Sequence, residues 1–357
     1  GAGGGSIATV EPNLRFRVGP ESAGASPGPA AYAAGGVRPT VTDANLVLNR
    51  IDPEYFLGGG MRLDAVAARE AVRRELARPL ELTVQAAAEG VLKVAVANMA
   101  AAIRLSLYEK GLDPKDFALI SFGGAGGLHA VEVAAELGAR RVIFPTEAST
   151  LSAWGMLFSD VVLDRARSRP LTADADAVAP LAELAEALIA EASAELEQAG
   201  FAAERRRLLL SADMRYPGQA YEVMVPLEGI DVNAARIDAA VARFHDLHER
   251  AYAHAERRTT PEIVTLRLSA VGELGKPRLV ERAASDDTPC KARRSVYLDG
   301  CEQTLPVYER DAIGGGVRLA GPLLVEDEYT TLFLPGGWGL ARLGGGELVA
   351  ERDEVDP

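Results

Sequence analysis

Four short stretches hold the residues whose types and spacing could do chemistry. The first is FGGAGGLHA, residues 122–130, where Gly123, Gly124, Gly126 and Gly127 lie just ahead of His129. Without Cβ atoms a main chain can come close to a ligand, and N–H groups at a helix start can face an anion or a nucleotide. The run is not GxxxxGK[ST], because no Lys–Ser/Thr pair follows, and not GxGxxG, because the sixth position from Gly124 is His129. On pattern alone, a plain turn between strand and helix explains it as well. The second stretch is FHDLHERAYAH, residues 244–254, in which His245 and His248 at i and i+3 could share a metal. Its HxxHE order matches neither HExxH nor HxxEH, and a partly buried structural role is the simpler expectation. The third, DMRYPGQAYEV at residues 213–223, is either a recognition face for a polar molecule or the polar edge of two strands. In the fourth, PTVTDANL, Asp43 is either a helix N-cap, a role Thr42 shares, or a ligand to metal or water. No Ser/His/Asp set is suggested.

Positioning the glycine run falls to the elements on either side of it. Residues 117–122 form an apolar stretch bounded by Asp113 and Pro114 before it and by the glycines after it, which predicts a buried strand of about six residues. Apolar spacing then turns helical through Leu128, Val131, Ala135 and Leu137. RVIFP, residues 141–145, reads as a second strand, and the strand–helix–strand unit favours a parallel or mixed sheet. Upstream, residues 63–78 predict an amphipathic helix capped by Asp64, and residues 83–108 a long helix apolar nearly all round, hence buried. GAGGGSIA, residues 1–8, is either a flexible leader or a glycine nest entering a strand. Beyond residue 161 an Ala/Glu/Leu helix ends at Gly200, strands flank Pro217 and Gly218, and short strands alternate with Gly-rich turns to the end. The boundaries drawn on this basis are 1–160 and 161–357, the second an α+β domain rich in short strands whose β-rich tail packs on the first.

Composition narrows the function classes. Charged residues make up 25% of the 357 and hydrophobic ones 48%, an ordinary globular balance. A net charge of −13 without a Lys/Arg cluster argues against a nucleic-acid surface. Glu89, Lys93 and Arg104 interrupt the most apolar stretch, so no membrane span is expected. Two cysteines, Cys290 and Cys301, without a CxxC suit a reducing cytoplasm. The sequence opens without Met inside a glycine loop, and either a fragment or a half whose other half is a separate chain is expected.

Together GAGGGSIA (1–8), GPESAGASPGPAAY (19–32), PTVTDANLVLNRIDP (39–53), FGGAGGLHA (122–130), TLSAWGM (150–156), DMRYPGQAYEV (213–223) and GPLLVEDEYTT (321–331) resemble the hydantoinase A / 5-oxoprolinase family. The joint order of these motifs is specific where each alone is weak. The resemblance implies an α/β, actin/hexokinase-like (ASKHA) ATPase lobe with a long buried helix, followed by the α+β domain. It implies ATP-dependent opening of cyclic amides such as 5-oxoproline or hydantoins, by phosphorylation of the lactam oxygen to an imidate phosphate that water attacks. The corresponding part of an acetone- or acetophenone-type carboxylase subunit is an alternative, and a non-catalytic scaffold lobe a third. The nucleotide would rest on Gly123, Gly124, Ala125, Gly126 and His129, with Gly3, Gly4 and Gly5 on the same ligand. Gly127 stands where the family usually has Pro, which implies a looser turn. Mg²⁺ would be needed, with Asp43 the one candidate ligand here. DxGGT-type loops are absent, so an N-terminal ATPase half and a hydantoinase B-like large subunit are the implied partners, and the chain alone is expected to be inactive.

Overall fold

The computed structural model describes residues 3–278 and 287–353. The chain divides into two compact units, Gly1–Trp154 with Leu279–Pro357 and Gly155–Arg278. The sequence boundary at 160 falls beside the first crossing between them. The block 161–357 does not stay together, because the C-terminal strands return to pair with the N-terminal part.

Unit one begins with an antiparallel hairpin of β1 (Ser6–Val10) and β2 (Phe16–Ser22). Helix α1 (Val41–Val47) follows, and its cap is Thr40 rather than Thr42 or Asp43. The Thr40 side chain accepts from Asp43 N–H while the Asp43 carboxylate accepts from Thr40 N–H, a reciprocal capping box. Helix α2 (Ala65–Val72) is capped by Asp64, which accepts from the Val66 and Ala67 N–H groups, and continues as a π turn through Arg73–Ala77. Helix α3 (Val84–Tyr108) starts at the Thr83 cap. Its first half buries Ala87, Ala88, Val91, Leu92 and Ala95 against α1 and α2.

The second half of α3 departs from expectation. Length and apolar composition would let α3 cross a membrane, yet only 22% of its most apolar stretch is buried. The predicted six-residue buried strand is likewise the two-residue β3 (Leu119–Ile120), with Phe117, Ile120 and Phe122 exposed. Both departures have one cause: β3 ends its sheet, and among the described residues nothing covers that end.

After the glycine turn come α4 (Ala130–Leu137), closed by Gly138 in the left-handed region (φ 76°), and β4 (Arg141–Phe144), parallel to β3. This is the expected strand–helix–strand unit. The chain passes into unit two within α5 (Leu151–Met156).

Unit two is an antiparallel sheet with two helices packed on it. Its strands are β5 (Val161–Thr172), β6 (Arg206–Arg215), β7 (Val223–Pro226) and β8 (Glu262–Gly272), in the order β5-β8-β6-β7. The helices are α6 (Val178–Gln198) and α7 (Ala234–Tyr252). Leu188 and Leu196 of α6 and Phe244 of α7 share one core with Leu210, Met214, Leu266 and Leu268.

The rest of unit one is β-rich. β9 (Cys290–Leu298), β10 (Cys301–Glu309), β12 (Leu323–Glu326) and β13 (Thr331–Leu334) form one sheet. β11 (Arg318–Ala320), β14 (Trp338–Arg342) and β15 (Leu348–Arg352) join β4 and β3 in another, ordered β11-β14-β15-β4-β3. The tail therefore does not pack on the first part as a separate layer. β15 is hydrogen-bonded to β4 from Leu348–Phe144 to Glu351–Arg141, inside the same sheet.

Candidate functional site

Gly4 and Gly124 are far apart in sequence and meet in space. The Thr42 hydroxyl and N–H at the start of α1 both donate to the Gly4 carbonyl, at 3.0 and 2.9 Å. A Cβ on Gly4 would stand 2.8 Å from Thr42 Oγ1 and 3.6 Å from the Ala125 side chain. A third segment closes the group: Thr330, in the turn from β12 to β13, donates its hydroxyl to the Gly124 carbonyl at 3.0 Å. These segments wall a cavity of about 360 Å³, completed by Asn45 of α1, Tyr55 and Phe56, and the acidic run Glu326, Asp327 and Glu328.

One wall of the cavity is acidic, and its charges are held in place. Arg294 donates to both Asp52 (2.8 Å) and Glu326 (2.6 Å), and Lys291 approaches Glu326 at 2.9 Å. Burial raises the Asp327 carboxyl above the ordinary carboxylate range, and Arg310 lies 3.8 Å away. None of the residues lining the cavity is Lys or Arg. Asn45 adds an unmet need. Its Nδ2 donates to Val41 O at 2.9 Å and faces His129 Nε2 at 3.4 Å, while its buried Oδ1 has no partner. A buried acceptor left unpaired costs about 1–3 kcal/mol unless something donates to it.

Most of the expected site residues divide between two sides of the glycine turn, while Gly123 lines neither of its two hollows. Gly4, Gly5, Gly124 and Ala125 line the cavity; Gly3 is exposed beside it, and Gly1 and Ala2 lie outside the described residues. Gly126 and His129 face a second, larger hollow of about 690 Å³ on the far side. His129 is buried, and burial, with the nearby Arg50 charge, pushes its pKa down to about 3, so it is a neutral imidazole. Gly127 does not loosen the turn. A Cβ there would lie 2.6 Å from Thr331 O, so the turn packs hard against β13.

Asp43 has the surroundings of a structural cap. Its Oδ2 accepts from Thr40 N–H and Oγ1 and from Ala30 N–H, its Oδ1 from Ala31 N–H at 2.7 Å, and it has no exposed surface. Among the described residues no cluster of three His, Cys, Asp or Glu could hold a metal ion. His245 bonds Tyr216 Oη through Nδ1 at 2.7 Å, and His248 reaches Gln219 and the His254 carbonyl. That satisfied network serves to pin the DMRYPGQAYEV segment to α7. Sequence reasoning missed Asn45, Tyr55 and the acidic wall as cavity residues; a run of three acids reads most simply as a solvated turn.

Residues 1–165 match the family model Hydantoinase/oxoprolinase, and residues 171–342 match Hydantoinase/oxoprolinase C-terminal domain. The chain belongs to the hydantoinase/oxoprolinase family. It is 36% identical over 351 residues to the caprolactamase subunit alpha of Pseudomonas jessenii, covering 95% of this chain and 50% of that one. The nucleotide-free structure of acetone carboxylase superposes with a TM-score of 0.87 at 25% identity, covering 99% of this chain and 52% of that one. The crystal structure of the ATP-dependent caprolactamase from Pseudomonas jessenii gives 0.78 at 33%, with the same coverage. The hydantoinase/oxoprolinase chain spans about half the length of these relatives.

Proposed function

We propose that this chain is the nucleoside-binding part of an ATP-dependent enzyme that opens cyclic amides, built on an actin/hexokinase-like (ASKHA) lobe. The observation that carries the reading is the meeting of Gly4 and Gly5 with Gly124 and Ala125 at one cavity. Bare main chain on both sides leaves room for a flat base and a sugar. Asn45 Oδ1 would accept from an amino or hydroxyl group of the nucleoside, and the carboxylates of Asp327 and Glu328 suit ribose hydroxyls. Carboxylates without a lining cation suit phosphates badly. The phosphates and Mg²⁺ would therefore be held by residues outside this chain, and Asp43 is not needed for them. ATP, when bound in the complete enzyme, would supply the phosphoryl group that makes a lactam carbonyl open to water. This chain's residues hold and orient the nucleoside and exclude water from one side of it. On this reading the complete enzyme includes the remaining ATPase half and a hydantoinase B-like subunit.

A second reading has its own support, since the superposition is tighter on acetone carboxylase than on caprolactamase although the sequence is nearer to the latter. Assaying the assembled enzyme for ATP hydrolysis dependent on hydantoin, 5-oxoproline or caprolactam, against acetone or acetophenone with bicarbonate, separates the two. The cavity itself is tested on the chain alone by calorimetric titration. Adenosine should bind at least as tightly as ATP, and Gly124→Val, whose Cβ would stand 3.2 Å from Tyr329 O, should abolish both while the chain stays folded by circular dichroism. Binding of ATP but not of adenosine, or full binding by the variant, would sink the proposal.

A further inference from the structure

The second hollow carries an inference of its own, independent of what fills the first. Its floor is α3 and α4, through Met99, Ile103 and Val133; one wall is β2, through Val18 and Pro20, and the other is β3. β3 ends its sheet. Ser121 N–H donates to Ile143 O on β4 at 2.9 Å, so the alternation of a parallel ladder turns the main-chain groups of Ile120 and Phe122 toward the groove. Their side chains are 52% and 55% exposed. An unpaired edge beside exposed aromatic and aliphatic side chains is a template for another strand.

His129 specifies what that strand must offer. The Asn45 amide faces His129 Nε2 with its N–H₂ group, because the same nitrogen donates to Val41 O; Nε2 is therefore the acceptor, and the ring proton sits on Nδ1. His129 lines the groove, and its buried Nδ1 has no partner. The missing group is a hydrogen-bond acceptor such as a peptide carbonyl. A lipid tail offers none, and the apolar groove would not hold a small anion.

The caprolactamase subunit alpha carries about as much chain outside the match as inside it, since 95% of this chain covers 50% of that one. We infer that the groove between β2, α3 and β3 is the docking site of an extended apolar segment from the half of the enzyme outside the matched region, which pairs with Ile120 and Phe122 and places a carbonyl on His129 Nδ1. The strand would extend the sheet past β3 and cover the exposed half of α3.

The test compares this chain alone with a chimera in which it replaces the matched half of the Pseudomonas jessenii caprolactamase subunit alpha. Amide hydrogen exchange at Ile120 and Phe122 should be fast in the chain alone and at least ~100-fold slower in the chimera, while Val142 and Leu348 are protected in both. Equal rates overturn the inference. So does protection that appears in the chain alone with rising concentration, which would make the occupant a second copy, or on adding phosphatidylcholine vesicles, which would make it a membrane. A second measurement needs no chimera. Ile120→Lys and Phe122→Lys should each leave the melting temperature of the chain alone unchanged, as at a surface. A lowered melting temperature would show the groove already closed by the chain itself.

Discussion

One glycine turn separates two hollows that differ in charge. On the Gly124 side carboxylates, hydroxyls and the Asn45 amide share the wall with Ile51, Phe56 and Leu128, the charges are bound by Arg294 and Lys291, and the volume is about 360 Å³. On the Gly126 side the lining is mostly aliphatic and aromatic, the outer edge of β3 has no strand partner among the described residues, and the volume is about 690 Å³. The first suits a small molecule with several hydrogen-bonding groups; the second suits polypeptide. Asn45 and His129 join them, each with one buried polar atom unpaired. A small-residue turn thus serves two purposes: bare main chain toward a ligand, and close packing that keeps the two hollows apart.

The largest expected effect comes from unbalancing the polar side. Arg294→Ala removes the cation that joins Asp52 and Glu326 and leaves Glu326, 2% exposed, with Lys291 alone. Removing one partner of a buried ion pair costs about 3–5 kcal/mol when the other is left unpaired, and because Glu326 keeps Lys291 the loss here should be about 3 kcal/mol. Urea denaturation should show a loss of that order, with adenosine binding lost as well. A loss below about 1 kcal/mol would mean that water already solvates the acidic wall, and the contrast between the hollows would be smaller than drawn here.

Next in size is the partition itself. Gly127→Ala places a Cβ 2.6 Å from Thr331 O and 3.2 Å from Leu332 Cα, both main-chain atoms of β13. Overpacking against backbone costs about 1–3 kcal/mol. Gly155→Ala, where nothing lies within 4 Å of the added carbon, is the matched control and should be near neutral. If the two variants lose the same stability, the turn is not the rigid divider proposed, and the melting temperatures would show it.

The sequence was most legible where a local rule decides the outcome. Asp64 and Thr83 mark their helices because an N-cap needs only a side-chain oxygen within one turn. Gly138 stops α4 because it alone in that segment takes a positive φ without strain. The α1 cap slipped from Thr42 or Asp43 to Thr40 because three neighbouring residues could each cap, and the choice fell to Asp43's bonds with Ala30 and Ala31. The acidic wall was hidden for another reason. Glu326–Glu328 reach the glycine turn only because β12 pairs with β10 and turns into β13, pairings no local pattern encodes. Apolar periodicity in α3 told which face seeks cover, not whether this chain provides it. The gathering of Gly4 with Gly124 was legible only through the order of motifs along the whole chain.

The mildest test falls on the joint between the hollows. His129 titrates near 6.5 in an unfolded chain, and burial, with the Arg50 charge, holds it down to about 3 in the fold. Above pH 6.5 neither state binds the proton, so its neutral burial carries no acid penalty. As pH falls from 6.5 toward 3 the unfolded state takes up a proton that the folded state refuses, and stability drops by about 1.4 kcal/mol per pH unit. Below pH 3 the loss levels off. His245 is also held low, chiefly by burial, so the informative quantity is the difference between the protein and His129→Gln measured side by side. Urea midpoints at pH 7, 5 and 4 should converge as the protein loses this contribution and the variant does not. Parallel pH profiles would mean that the imidazole reaches water, and with it that the groove behind the glycine turn is wet rather than shaped for a strand.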